Sequence, residues 1–237
     1  MNYISKAYDV VINKFKDSSL AFIMFIAMNF IVFFSLVAVY LILNSLISLI
    51  TLNSLVSYTL LGILGFIFVF FASSFKGGYY KLMYDIINGN NINIINFVYF
   101  CLRNAHKFFI IGLLKLLVLV LVLSPILIVW YFQPTSFDNL IIKIIGGTYS
   151  LIMIFIVCLL FSLTYIYTID EKGIILTLKR AFKTVIKKLP KILPIYLIYG
   201  LIVLTGIIPI LNLITFFVLY PTMMSALILF KINESLN

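Results

Sequence analysis

Apolar residues recur at Ile174, Ile175, Leu178, Ala181, Phe182, Val185, Ile186 and Leu189, the spacing of one face of a 3.6-residue helix. Lys179, Arg180, Lys183, Lys187 and Lys188 fall on the other face. Asp170 and Glu171 stand where a helix N-terminus favours negative charge, and Pro190 ends the run. The pattern predicts a basic amphipathic helix over 170–191. Long apolar runs flank it on both sides, so it is expected to lie flat in a membrane interface with its apolar face in the acyl boundary.

Two weaker versions occur. Over 3–16, Ile4, Ala7, Tyr8, Val11 and Phe15 share a face, with Lys6, Asp9, Asn13, Lys14 and Lys16 mostly opposite. Asp17, Ser18 and Ser19 then offer caps for the next helix. Over Ile94–Lys107, a second such segment carries Arg103, Asn104, His106 and Lys107. Between and after these segments lie apolar runs of spanning length. They predict spans at about Leu20–Leu43, Leu55–Phe75, Phe108–Phe132, Lys143–Thr168, Ile192–Thr205 and Leu213–Phe230. Gly77 and Gly78 predict a turn after the second span. Tyr79, Leu82, Met83 and Ile86 then form a short apolar face, and Asn88-Gly89-Asn90-Asn91 is a strong turn signal. Pro125 and Tyr220-Pro221 are expected to interrupt the third and sixth spans. Trp130, Tyr131 and Phe132 read as an outer aromatic belt, Tyr165 and Tyr167 as an inner one.

Composition sharpens the class. Of 237 residues, 64% are hydrophobic and 10% charged, against about 25% charged in soluble domains. The reading is an all-α polytopic membrane protein with no separate soluble catalytic domain. The first apolar run starts only at Leu20 and is too long for a signal-peptide core, with no small-residue cleavage site after it. The net charge of +10 clusters beside apolar spans, which fits positive-inside topology and anionic headgroups better than nucleic acid. The expected inner segments hold nearly all the Lys and Arg. The outer connections hold only Asp138 and Lys143, so both termini are expected on the cytoplasmic side of the cell membrane.

An internal repeat emerges when Ala7-Tyr8 is set over Ala181-Phe182, which brings Lys6 onto Arg180, Lys14 onto Lys188 and Phe15 onto Leu189. Setting Lys107-Phe108 over Lys188-Leu189 brings in the middle segment. The chain then reads as one membrane domain of three parallel units, about 1–75, 76–169 and 170–237, each an amphipathic helix followed by a transmembrane hairpin.

The segment from Gly77 to Phe97 (GGYYKLMYDIINGNNINIINF) resembles a broad group of uncharacterised prokaryotic membrane proteins, similar to the membrane domain fused to some glycerophosphodiester phosphodiesterases. Tyr165, Asp170, Leu178–Phe182, Gly206–Pro209 and Pro221 fit the same pattern. The resemblance implies a six-span helical domain. The phosphodiesterase catalytic domain is absent, so its activity does not carry over.

Chemistry-bearing motifs are sparse. No acid lies within an expected span, which disfavours ion-coupled transport. His106 is the only histidine, and Cys101 and Cys158 have no metal-ligand or redox spacing, so no metal, cofactor or catalytic residue is expected. Adjacent Asp170 and Glu171 do not share a helix face, and Lys81 with Asp85 reads as an i,i+4 ion pair. The expected contacts for a lipid headgroup or anion are Lys81, Arg103, His106, Lys107, Lys179, Arg180, Lys183, Lys187 and Lys188. The expected function is non-enzymatic: binding of anionic lipid or a partner membrane protein in membrane or envelope organisation. The alternative is a permease-like carrier or channel component for a small or lipidic solute. An intramembrane enzyme would need convergent catalytic side chains at the cytoplasmic rim.

Overall fold

The computed structural model describes residues 3–49, 54–132, 140–170, 173–205 and 215–235. Among them every regular element is helical. α1 covers Tyr3–Asn13, α2 Phe15–Leu49, α3 Ser54–Ile87, α4 Ile94–Phe132, α5 Leu140–Thr168 and α6 Ile174–Thr205. A π-helical turn at Thr215–Leu219 leads into α7, Tyr220–Ser235. The outer turns expected at 133–139 and 206–212 lie outside the described residues.

Among the described residues four stretches are long and apolar enough to cross a membrane: Phe15–Ser45, Val56–Ile87, Ile94–Phe132 and Leu140–Thr168. The most apolar windows of the first three are only 11% buried within the protein. A helix that is hydrophobic all round needs either a protein core or a bilayer around it. The protein does not supply the core, so the chain is a multi-pass membrane protein. The expected spans at 192–205 and 213–230 are not among these four: the first shares α6 with the basic stripe, and part of the second lies outside the described residues.

The helices are longer than the sequence pattern suggests. The 39 residues of α4 reach about 58 Å at 1.5 Å per residue, against a hydrocarbon core of about 30 Å. The expected interfacial helix at 94–107 and the expected span after it are one continuous element. At Pro125 the helix continues, and the Ser124 hydroxyl donates to the Leu121 carbonyl (2.7 Å), the acceptor that the missing proline N–H leaves free. Ser18 lies inside α2 and donates back to the Phe15 carbonyl (3.1 Å), so it is not a cap. Asn29 and Ser35 likewise donate to the carbonyls of Phe25 and Ile31, which satisfies the polar groups of that span locally.

The turn expected at Gly77-Gly78 does not form. Both glycines are inside α3, where a Cβ on Gly77 would meet the Phe108 ring at 2.5 Å and one on Gly78 would meet the Cys101 sulfur and the Phe97 ring. The pair lets α3 and α4 approach closely, and that contact overrides the local turn preference. The Ser74 hydroxyl donates to the Cys101 carbonyl across the same seam (2.6 Å). The chain turns instead at Gly89, with φ +83°, where Gly89 N–H donates to Ile86 C=O and Asn90 N–H to Asp85 C=O. This is a Schellman cap with glycine at its left-handed position. Asn93 then caps α4, its side-chain oxygen accepting from Ile95 N–H (2.8 Å).

The chain forms two compact units. One comprises Met1–Phe109 and Pro190–Asn237, the other Ile110–Leu189. In the first, α7 is buried along Pro221–Ile228, and Phe22 of α2, Tyr79 of α3 and Tyr220 of α7 meet at ring separations of 5.6 to 6.0 Å. Lys14, between α1 and α2, donates to the Ile86 carbonyl near the end of α3 (2.6 Å). Lys231 is buried with its ammonium 4.9 Å from the Tyr84 ring centre. The ends of α1 and α7 meet where Asn233 donates to the Tyr3 hydroxyl (2.9 Å). In the second unit the last third of α5 is buried, including Tyr165 and Tyr167, so these tyrosines are core residues and not an interfacial belt. Trp130, Tyr131 and Phe132, by contrast, are exposed at the end of α4.

Candidate membrane-interface site

The first half of α6 presents three faces. Thr177, Ala181, Thr184 and Val185 are buried. On this face the Tyr167 hydroxyl pairs with Thr184 Oγ1 (3.2 Å), Thr168 donates to Thr177 Oγ1 (3.4 Å), and Thr177 donates back to the Ile174 carbonyl (2.7 Å). Small threonines suit this position because they fill little space and bring their own hydrogen-bond partners. The Arg180 guanidinium lies 4.7 Å from the Tyr167 ring centre, so it clamps α6 to α5.

The second face is apolar and open: Ile175 is 86% exposed, Phe182 57% and Ile186 62%. The third carries Lys179, Lys183 and Lys187, all exposed. At about 100° per residue the lysines lie between the open apolar stripe and the threonines, on the side away from Ala181 and Val185. The periodicity in the sequence located that stripe, but grouped it with Ala181 and Val185, which pack inward. Large side chains outward and small ones inward is the arrangement that leaves apolar surface for a lipid phase.

The helix begins at Ile174, with Thr177 N–H bonded to Gly173 C=O (3.0 Å); Asp170 belongs to the turn that closes α5, with its N–H on the Tyr167 carbonyl. Glu171 lies outside the described residues. At Lys188 the backbone leaves helical geometry (φ −120°, ψ 19°), because Pro190 has no N–H for the Ile186 carbonyl and its ring crowds that group. The stripe therefore ends two residues earlier than the proline itself.

The remaining expected contacts separate. Arg103 is exposed with its guanidinium 6.0 Å from the Tyr99 ring centre, His106 is exposed and Lys107 is half-buried. All three belong to the compact unit that does not contain Lys179–Lys188. Lys81 is held by Asp85 at 2.6 Å and stands 5.5 Å from the Tyr84 ring centre, which makes it part of the cap at the end of α3. Among the described residues no three His, Cys, Asp or Glu side chains come together as a metal site would require, and both cysteines are free and buried. A cavity of about 260 Å³ lies between α2 and α3, lined by Phe33, Tyr40, Leu61, Gly65 and other apolar neighbours. Comparison with protein-family models, curated proteins and solved structures gives no match.

Proposed function

We propose that this multi-pass membrane protein is a non-enzymatic binder of anionic phospholipid in the cytoplasmic leaflet of the cell membrane, acting in membrane or envelope organisation. The observation that carries the reading is the first half of α6, where an open apolar stripe runs beside Lys179, Lys183 and Lys187 while threonines fix the opposite face to α5. Ile175, Phe182 and Ile186 enter the acyl boundary, and each lysine near an anionic surface adds about 1 kcal/mol. Six spans with both termini cytoplasmic belong to the same proposal, as does the likeness to membrane domains fused to some phosphodiesterases. The clustering of cations at one end of the apolar helices supports that orientation. The test is native mass spectrometry of protein extracted gently from its own membrane. Retained anionic lipid should fall in a K179Q/K183Q/K187Q variant, and unchanged retention would overturn the reading.

A second reading, a carrier or channel component for a small or lipidic solute, draws on one feature. Thr222 and Ser225 place buried hydroxyls one turn apart on α7, with no hydrogen-bond partner among the described residues. They follow a π-helical turn, a backbone form frequent at functional sites. A T222V/S225A variant that alters solute flux in proteoliposomes would favour this reading.

A further inference from the structure

The basic face of α6 has a counterpart in α4. Each helix opens on an Ile-Ile pair, Ile94-Ile95 and Ile174-Ile175, and each begins with a 3.0 Å hydrogen bond, from Phe97 N–H to Asn93 C=O and from Thr177 N–H to Gly173 C=O. With Ile94 set over Ile174, the environments coincide. Buried Phe97, Cys101 and Ala105 fall on buried Thr177, Ala181 and Val185. Ile95, 76% exposed, falls on Ile175, and Leu102, 60% exposed, falls on Phe182. Exposed Arg103 takes the place of Lys183, and Lys107 that of Lys187. This register is one residue away from the sequence overlay, which set Lys107 on Lys188.

α1 follows the same burial pattern with a different set of charges, exposed Lys6 standing at the position of Arg180. Ala7 and Val11 are buried where Ala181 and Val185 are, Tyr8 and Ile12 are exposed where Phe182 and Ile186 are, and the helix is interrupted at Lys14 as α6 is at Lys188. Ser5, Asp9 and Asn13 stand at the positions of Lys179, Lys183 and Lys187. The protein thus holds two copies of the surface with cations at the positions of Lys183 and Lys187 and one copy with Asp9 and Asn13 there.

We infer that the first half of α4 is a second contact site for anionic phospholipid, with Arg103 and Lys107 on the headgroup and Ile95 and Leu102 against the upper acyl chain; this rests on the reading of α6 given above. No Asp or Glu lies between Ile94 and Lys107 to oppose an anion. Tyr99 beside Arg103 is the aromatic type that favours the headgroup level. α4 is too long for the hydrocarbon to cover it all, which leaves this basic end for the interface.

The experiment uses the full chain in nanodiscs with Trp130, the one tryptophan, replaced by Phe. A single indole probe is then introduced by L102W, F182W or Y8W. Quenching by brominated phosphatidylglycerol in plain phosphatidylcholine is compared with the reverse mixture. The L102W and F182W probes are expected to select the anionic lipid, by roughly fivefold per cation, and the Y8W probe much less. R103Q/K107Q should abolish the selectivity of the L102W probe and leave that of the F182W probe, and R103K/K107R should restore it. Selectivity of the F182W probe without any for L102W overturns this inference and leaves the α6 reading intact. Selectivity at neither site overturns both.

Discussion

The glycines of α3 make a prediction with opposite signs within one helix. Gly62 and Gly65 have open space where a Cβ would go, whereas Gly77 and Gly78 have the Phe108 ring and the Cys101 sulfur there. Replacing a helical glycine with alanine gains up to about 1 kcal/mol from backbone propensity. Forcing a methyl into a packed seam costs about 1 to 3 kcal/mol. A G77A/G78A variant therefore loses about 2 to 6 and regains about 2, a net destabilisation centred near 2 kcal/mol. A G62A/G65A variant should be neutral or more stable by up to about 2 kcal/mol. The buried Cys101 thiol reports directly on the seam. With Cys158 changed to alanine, its labelling by a maleimide in nanodiscs measures how often α3 and α4 part. A loss of about 2 kcal/mol speeds labelling roughly thirtyfold when opening and closing are fast. Equal or slower labelling of G77A/G78A, or equal acceleration by G62A/G65A, would refute the argument from close approach.

Three further outcomes follow from the same contacts. R180Q removes the cation from the Tyr167 ring and should cost about 1 to 2 kcal/mol in thermal or denaturant unfolding, while Y167F, which loses the bond to Thr184 and keeps the ring, should cost about 1 kcal/mol. G89A forces a side chain into the left-handed cap at φ +83° and should cost about 1 to 2 kcal/mol, with G89N milder, as read by hydrogen exchange at the end of α3. K14M removes a charged donor from the Ile86 carbonyl and should lower stability by about 1.5 to 3 kcal/mol, whereas K16M, at an exposed position, should leave it within about 0.5 kcal/mol.

The membrane class and the open stripe of α6 were legible in the sequence because both rest on local pattern: run length, periodicity and the place of lysines. What misled were signals whose meaning depends on a distant partner. Gly77-Gly78 reads as a turn until Phe108 and Cys101 of α4 occupy the space beside it. Tyr167 reads as an interfacial aromatic until Arg180 and Thr184 cover it. Thr177 and Thr184 interrupt the apolar pattern of α6, and so its inward face escaped notice; a small polar side chain becomes a core residue only when another helix offers it a hydroxyl. Lys81 joined the expected anion contacts although its i,i+4 relation to Asp85 was itself readable, and the pair is made. The register of α4 on α6 needed burial, since apart from the Ile-Ile pair little of that match is sequence identity.

The burial of α7 also bears on how the molecule is assembled in time. Its residues from Pro221 to Ile228 are enclosed, and Tyr220 and Phe230 pack on Phe22, Tyr79 and Tyr3, which belong to helices made far earlier in synthesis. α1, α2 and α3 are therefore all made before the helix on which they pack. Their shared centre stays unfilled until α7 has been made, and the first unit closes only when that helix arrives.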